Sequence, residues 1–209
     1  AAKALGEYTP IYNKDWAKGA ARPTWCVRGG GTNPLIYFYG DNQDLAEFTS
    51  KVLDDSYKQI STHLAWDLRN RVSILVYNSH NEFQQTNVVG TYMSEGIGGV
   101  TELFKNRIVF PFDGDFQQFR HVIHHELVHA MLNDMVYGGT AQNMVASRTR
   151  VRIPLWANEG LAEFLSSNWD TKADMVLRDI AVHERMPTIN ELNYFMAYKG
   201  GQSLWRFIA

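Results

Sequence analysis

An α+β fold is the architecture this sequence predicts, a small mixed sheet followed by a helical second half. Short apolar runs closed by glycine, asparagine or proline are confined to the stretch before residue 115. Apolar residues at helical spacing fill residues 43–65 and most of the chain after 115. The 209 residues suffice for one sizeable domain or two small lobes around a cleft. The expected division is a sheet-containing lobe over 1–115 and a helical lobe over 116–209.

Residues 1–34 read as irregular, with Pro10, Pro23, Pro34 and the run Gly29-Gly30-Gly31. That run is a turn signal and not a phosphate loop, because no Lys-Ser/Thr pair and no helix follow it directly. Leu35 to Tyr39 reads as a strand ended by Gly40-Asp41-Asn42. A helix over 43–65 carries Leu45, Phe48, Val52, Leu53, Tyr57 and Ile60 on one face. Val72 to Tyr77 is a second strand, and Glu82 to Gln85 fits a short helix. Gly90 to Glu102 is glycine-rich with alternating side chains, as an edge strand would be, and Arg107 to Phe110 is a strand ended by Pro111. The aromatics Tyr37, Phe38, Tyr39, Phe110 and Phe112 are assigned to strand packing in the core. Helices are predicted over 116–137 and 155–168, with a polar loop at 138–153 and at least one more helix between 172 and 209.

Composition sets limits on function. A hydrophobic content of 45% and a charged content of 20% are ordinary for a folded chain. The formal net charge of -2 gives no basic footprint for nucleic acid. No apolar run is long enough to be a transmembrane segment. The single cysteine, Cys26, excludes an intramolecular disulfide and a cysteine-rich zinc cluster. A processed export signal or a cut chain would both leave the start Ala1-Ala2-Lys3, and the expected location is exported: periplasmic, cell surface or secreted. Ser203 to Ala209 reads as a helix that stops without a capping glycine or proline. The expectation is a fragment of a longer protein, with a further C-terminal domain.

The stretch that carries chemistry is Val122-Ile123-His124-His125-Glu126-Leu127-Val128-His129-Ala130, which contains H-E-x-x-H. Residues four apart share one helix face, so the imidazoles of His125 and His129 can converge on one ion. Zinc accepts such nitrogens, and Glu126 beside the first ligand is placed to take a proton from an activated water. His124 lies about 100° around the helix and is assigned a core or supporting role. His121, one turn earlier, could line the cleft, whereas His63, His80 and His183 read as surface or satisfied histidines.

A catalytic zinc needs a third protein ligand and an open position. Trp156-Ala157-Asn158-Glu159-Gly160-Leu161-Ala162-Glu163-Phe164 supplies a candidate, Glu159, on a second helix. Glu163 is one turn later on the same face, where it can hydrogen-bond the far nitrogen of a ligating histidine and fix its tautomer.

The pair H-E-x-x-H and N-E-x-x-x-[DE] resembles the gluzincin metallopeptidases, the group that includes thermolysin. The wording around Pro154-Leu155-Trp156 and Glu159-Gly160-Leu161-Ala162-Glu163-Phe164 is similar to the peptidase MA-like family. The resemblance covers roughly residues 90–209, more weakly the first half, and includes the glycine-rich stretch before Asn106 to Pro111. It implies a thermolysin-like zincin fold, with zinc on His125, His129 and Glu159, Glu126 as general base, and an edge strand above the metal. It also implies a peptide or protein substrate that adds to that strand. Gluzincins place a Tyr or His opposite the base to stabilise the oxyanion. Tyr198-Lys199-Gly200-Gly201-Gln202-Ser203-Leu204 matches the aminopeptidase form of this, with Tyr198 as donor and Tyr194 as its competitor.

Other zincin patterns fit less well. A metzincin needs Gly and His where this chain has Leu132 and Met135, and Gly139-Thr140-Ala141-Gln142-Asn143 lacks the Asp of an Asp-ligand type. No G-x-M-E-N-type amine-binding motif precedes H-E-x-x-H, which disfavours an aminopeptidase. Two rival classes are a non-catalytic zincin-fold binding or scaffold module of a larger surface protein and a purely structural zinc domain. An intact Glu126 argues against both.

Overall fold

The computed structural model describes residues 35–38, 42–84, 98–102, 106–138 and 153–209. The glycine run at 29–31, Cys26, Tyr39, most of the Gly90 to Glu102 stretch and nearly all of the loop at 138–153 lie outside the described residues. The chain divides into two compact units, Ala1–Ser147 and Arg148–Ala209. The fold is mixed α+β, and the described residues form a small mixed sheet of four strands.

In the first unit the elements are β1 (Leu35–Tyr37), α1 (Gln43–Leu64), β2 (Ser73–Tyr77), α2 (His80–Gln84), β3 (Val100–Glu102), β4 (Arg107–Pro111) and α3 (Phe116–Tyr137). The sheet order is β1-β2-β4-β3. Strands β1, β2 and β4 are parallel, and β3, the edge strand among the described residues, runs antiparallel to β4. Ile74 to Tyr77 and Ile108 to Phe110 are buried without a break. Such continuous burial is what inner parallel strands covered on both faces require. Pro111 is the last residue of β4, paired with Tyr77, and does not lie beyond the strand as expected. A proline at a strand end forfeits only a terminal ladder bond.

Helix α1 buries Leu45, Val52, Leu53 and Ile60, as its periodicity predicts, and ends at Ala65 in the left-handed region. It meets α3 through aromatic rings: Phe48 lies edge-on to Phe116 at 4.8 Å and stacks near Phe119 at 6.4 Å, centroid to centroid. Helix α3 begins where Asp115 accepts from the N–H groups of Gln117 (2.8 Å) and Gln118 (3.0 Å). It ends at Gly138, whose φ of 70° and N–H bond to Asp134 O form a left-handed cap. The buried carboxylate of Asp134 accepts from Trp66 Nε1 (3.1 Å), Arg69 N (3.0 Å) and Asn70 Nδ2 (2.9 Å), which ties the loop after α1 to the end of α3.

The second unit comprises α4 (Leu155–Ser166), α5 (Thr171–Val182), a 3₁₀ turn at Ile189–Glu191, a π-helical turn at Met196–Gly200, and α6 (Gly201–Ile208). Asp170 caps α5 by accepting from Ala173 N at 2.6 Å. Helices α4 and α6 meet backbone to backbone. A Cβ added at Gly160 would stand 2.5 Å from Gly201 Cα and 2.8 Å from Gly201 O. Trp205 Nε1 reinforces the contact by donating to Ala157 O at 3.0 Å. Among the described residues, no helix is long and apolar enough to cross a membrane.

Candidate functional site

Helix α3 carries H-E-x-x-H through its most buried stretch. Every residue from Val122 to Leu132 is buried, so the motif does not sit on a solvated face. The apolar members, Ile123, Leu127 and Met131, anchor the helix in the core, and Phe119 packs edge-on to Phe110 of β4 at 5.8 Å. His125, Glu126 and His129 are each 8% exposed. Placing polar side chains there is costly unless they are bonded or serve a ligand.

The i, i+4 spacing brings the two imidazoles together as expected. His125 Nε2 and His129 Nε2 lie 3.1 Å apart, with ring centroids at 4.8 Å and planes at 81°. Two nitrogens on one tetrahedral zinc, each at about 2.0–2.1 Å, stand roughly 3.3 Å apart. The pair therefore fits a zinc ion as two of its ligands. His121 extends the row, its ring 5.9 Å from that of His125.

His124 is buried, and burial pushes its imidazole down to about 4, with the nearby His121, His125 and His63 adding to the shift. It is a buried residue of the packed helix, in keeping with the core role its angular offset predicts. His63 and His183 are exposed and bond the carbonyls of Gln59 and Asp179, each at 2.8 Å, in keeping with satisfied histidines. His80 packs its ring against Phe83 at 5.7 Å.

The edge strand reaches this site through a residue that sequence reading missed. Thr101 of β3 donates its hydroxyl to Glu126, with Oγ1 2.6 Å from Oε2 and 3.0 Å from the main-chain oxygen. Nothing in the sequence pattern pairs residues 101 and 126; only strand register and helix position do. The strand can come this close because Gly99 has no side chain. A Cβ there would stand 3.0 Å from Glu126 Cγ, 3.0 Å from Phe110 Cδ1 and 2.9 Å from Val122 Cγ1.

The remaining expected site residues belong to the second unit. Glu159 and Glu163 both lie on α4. The Glu163 carboxylate is buried and accepts from Lys199 Nζ (2.7 Å) and Ser167 Oγ (3.0 Å) through Oε2. Gln202 Nε2 donates to the Glu163 main-chain oxygen at 3.2 Å. Lys199 also reaches Asp170 at 3.1 Å. Burial alone would pull the Lys199 ammonium down, but its bonds to Glu163 and Asp170 outweigh this and hold it above its ordinary value. Lys199 is thus a second residue that motif reading passed over.

Tyr198 lies in the π-helical turn at Met196–Gly200, which runs without interruption into α6. Gly200 and Gly201 have φ of -65° and -61°, ordinary helical values, so neither is there to make a turn. Gly201 is required by the close approach to α4. Tyr198 is 40% exposed, and its competitor Tyr194 is 85% exposed.

The chain matches no family model, and a search of curated proteins returns no match. The functional reading therefore rests on the residues themselves.

Proposed function

We propose that this chain is a gluzincin-type zinc peptidase. In this reading His125, His129 and Glu159 hold the ion, Glu126 is the general base, Glu163 orients a ligating histidine, and Tyr198 donates to the oxyanion. The observation that carries it is the buried histidine pair, nitrogens 3.1 Å apart, beside a Glu126 carboxylate fixed by the edge strand. Two converging imidazoles need a further anionic ligand to form a catalytic zinc site, and the α4 sequence offers one with a carboxylate a turn behind it. Zinc bound there would lower the pKa of its water towards about 7 and polarise the substrate carbonyl.

The residues of the chain then divide the work. Glu126 takes the proton from the attacking water and passes it to the leaving amine. Tyr198 offers a hydroxyl to the developing negative charge. The edge strand β3 offers main-chain groups for an extended peptide, which positions the scissile bond with little reading of sequence. The substrate is a peptide or protein.

One observation favours a second reading. A separation of 3.1 Å also suits an N–H···N bond between two neutral imidazoles, as a non-catalytic scaffold module would have. Elemental analysis of the purified protein and of His129→Ala separates the two. The peptidase reading expects about one zinc per chain, lost in His129→Ala, with casein or a peptide library cleaved in a chelator-sensitive way. Glu126→Gln should keep the zinc and lose the cleavage. Zinc unchanged in His129→Ala, or full turnover in Glu126→Gln, would remove the assignment.

A further inference from the structure

We propose that Thr101 is a positioning residue for Glu126, holding its carboxylate in place from the edge of the sheet. The role assigned to Glu126 rests on the peptidase reading above. The contact and its coupling energy stand apart from it.

Glu126 has three side-chain torsions, and fixing them costs on the order of 1–2 kcal/mol of rotamer entropy. Its neighbours on the helix, Leu127 and His125, are committed to the core and to the histidine pair. The restraint comes from across the sheet edge. The Thr101 hydroxyl has one proton and two acceptors within reach. The carboxylate oxygen is both charged and nearer, at 2.6 Å against 3.0 Å for the carbonyl, so it takes the proton. A branched Cβ leaves Thr101 few rotamers, so the donor is itself stiff.

The strand that carries it is fixed in register. Thr101 pairs with Ile108 on β4, and Glu102 forms an ion pair across the same two strands with Arg107. Alternation along β3 sends Thr101 to the opposite face from Val100 and Glu102. Gly98 and Gly99 then bring the strand onto α3, since a Cβ at either would be 2.9 Å from a Val122 methyl. The hydroxyl occupies one carboxylate oxygen, Oε2, which leaves the other, Oε1, for proton transfer. General-base geometry must hold to about 0.5 Å, and a misplacement of 1 Å can cost on the order of 10²-fold in rate.

The test uses the full zinc-loaded chain, with Thr101→Val, Thr101→Ser, Glu126→Leu and the double variant Thr101→Val/Glu126→Leu. Denaturant unfolding reads the contact without any need for activity. Thr101→Val should raise the unfolding equilibrium constant about tenfold, and less than about twofold once Glu126 is leucine. Peptide cleavage reads the role. Thr101→Val should lower kcat about 10–100-fold with KM and zinc content unchanged, and Thr101→Ser should recover most of it. Equal effects of Thr101→Val in both backgrounds overturn the contact. Coupling with an unchanged kcat overturns the positioning role. If the wild-type chain cleaves nothing while the coupling persists, the peptidase reading falls and the hold of Thr101 on Glu126 stands.

Discussion

Replacing Gly160 by alanine tests the backbone contact between α4 and α6, because two effects of opposite sign compete there. Gly160 lies in the middle of a helix, where alanine is ordinarily better by about 1 kcal/mol. The added Cβ, however, would stand 2.5 Å from Gly201 Cα and 2.8 Å from Gly201 O. Carbon atoms in contact prefer about 3.5–4.0 Å, so the helices must part by roughly 1 Å. Both opposing atoms are backbone within a helix, and no side chain can swing aside. Overpacking of this kind costs about 1–3 kcal/mol, occasionally more, and a rigid partner puts this site at the upper end. The net expectation is a loss of about 2 kcal/mol, or roughly 4–8 °C in melting temperature for a chain of this size. Thermal and denaturant unfolding followed by circular dichroism would measure it. Gly201→Ala should behave alike, since its Cβ would meet the Trp156 carbonyl oxygen and stand 2.9 Å from Gly160 Cα. The double variant should lose less than the sum, because one separation relieves both clashes. A Gly160→Ala protein as stable as wild type, or more so, would refute the packing argument outright.

Asp134→Ala should cost about 2–4 kcal/mol in denaturant unfolding, since Trp66, Arg69 and Asn70 each lose a charged acceptor at 2.9–3.1 Å. Lys199→Met should cost about 1–3 kcal/mol, because it strips the buried Glu163 carboxylate of its cation. The Lys199 pKa is raised in the fold, so its contribution is whole below the ordinary lysine value of 10.5 and fades as pH rises through the folded one. The stability gap between wild type and Lys199→Met should accordingly close in alkaline titrations above that value, and a gap independent of pH would contradict the ion pair. Tyr198→Phe should lower kcat and kcat/KM together, by up to about 10²–10³-fold, with zinc content unchanged. A change confined to KM would make Tyr198 a substrate contact instead.

What could be read from the sequence was what has local causes. The helix over 116–137 is found with those bounds, because Asp115 and Gly138 are cap residues whose chemistry acts within one turn. The convergence of His125 with His129 follows from helix geometry alone, and the strands expected over 72–77 and 107–110 are found at 73–77 and 107–111, from short runs that are mainly apolar. What escaped depends on residues far apart in sequence. Thr101 finds Glu126 only through the register of β3, and Lys199 finds Glu163 only through the packing of α4 against the π-helical turn. The roles of the glycines at 200 and 201 could not be read from sequence for a related reason. Glycine marks turns by its torsional freedom and close contacts by its missing side chain, and one sequence cannot tell which use applies.

The π-helical turn at Met196–Gly200 has a consequence for how this chain can vary. Its wide ring holds one residue more than an α-helical turn would, closed by the Gly201 N–H on the Met196 carbonyl. Deleting a single residue there would let the segment tighten into an ordinary helix and turn what precedes it by about 100° relative to α6. Lys199 would leave Glu163, and Tyr198 would face another direction, although every other side chain were kept. Homologous chains should therefore tolerate substitutions across this turn far better than a change of its length, and a gap of one position here would mark a branch in which the lysine no longer pairs with the α4 carboxylate.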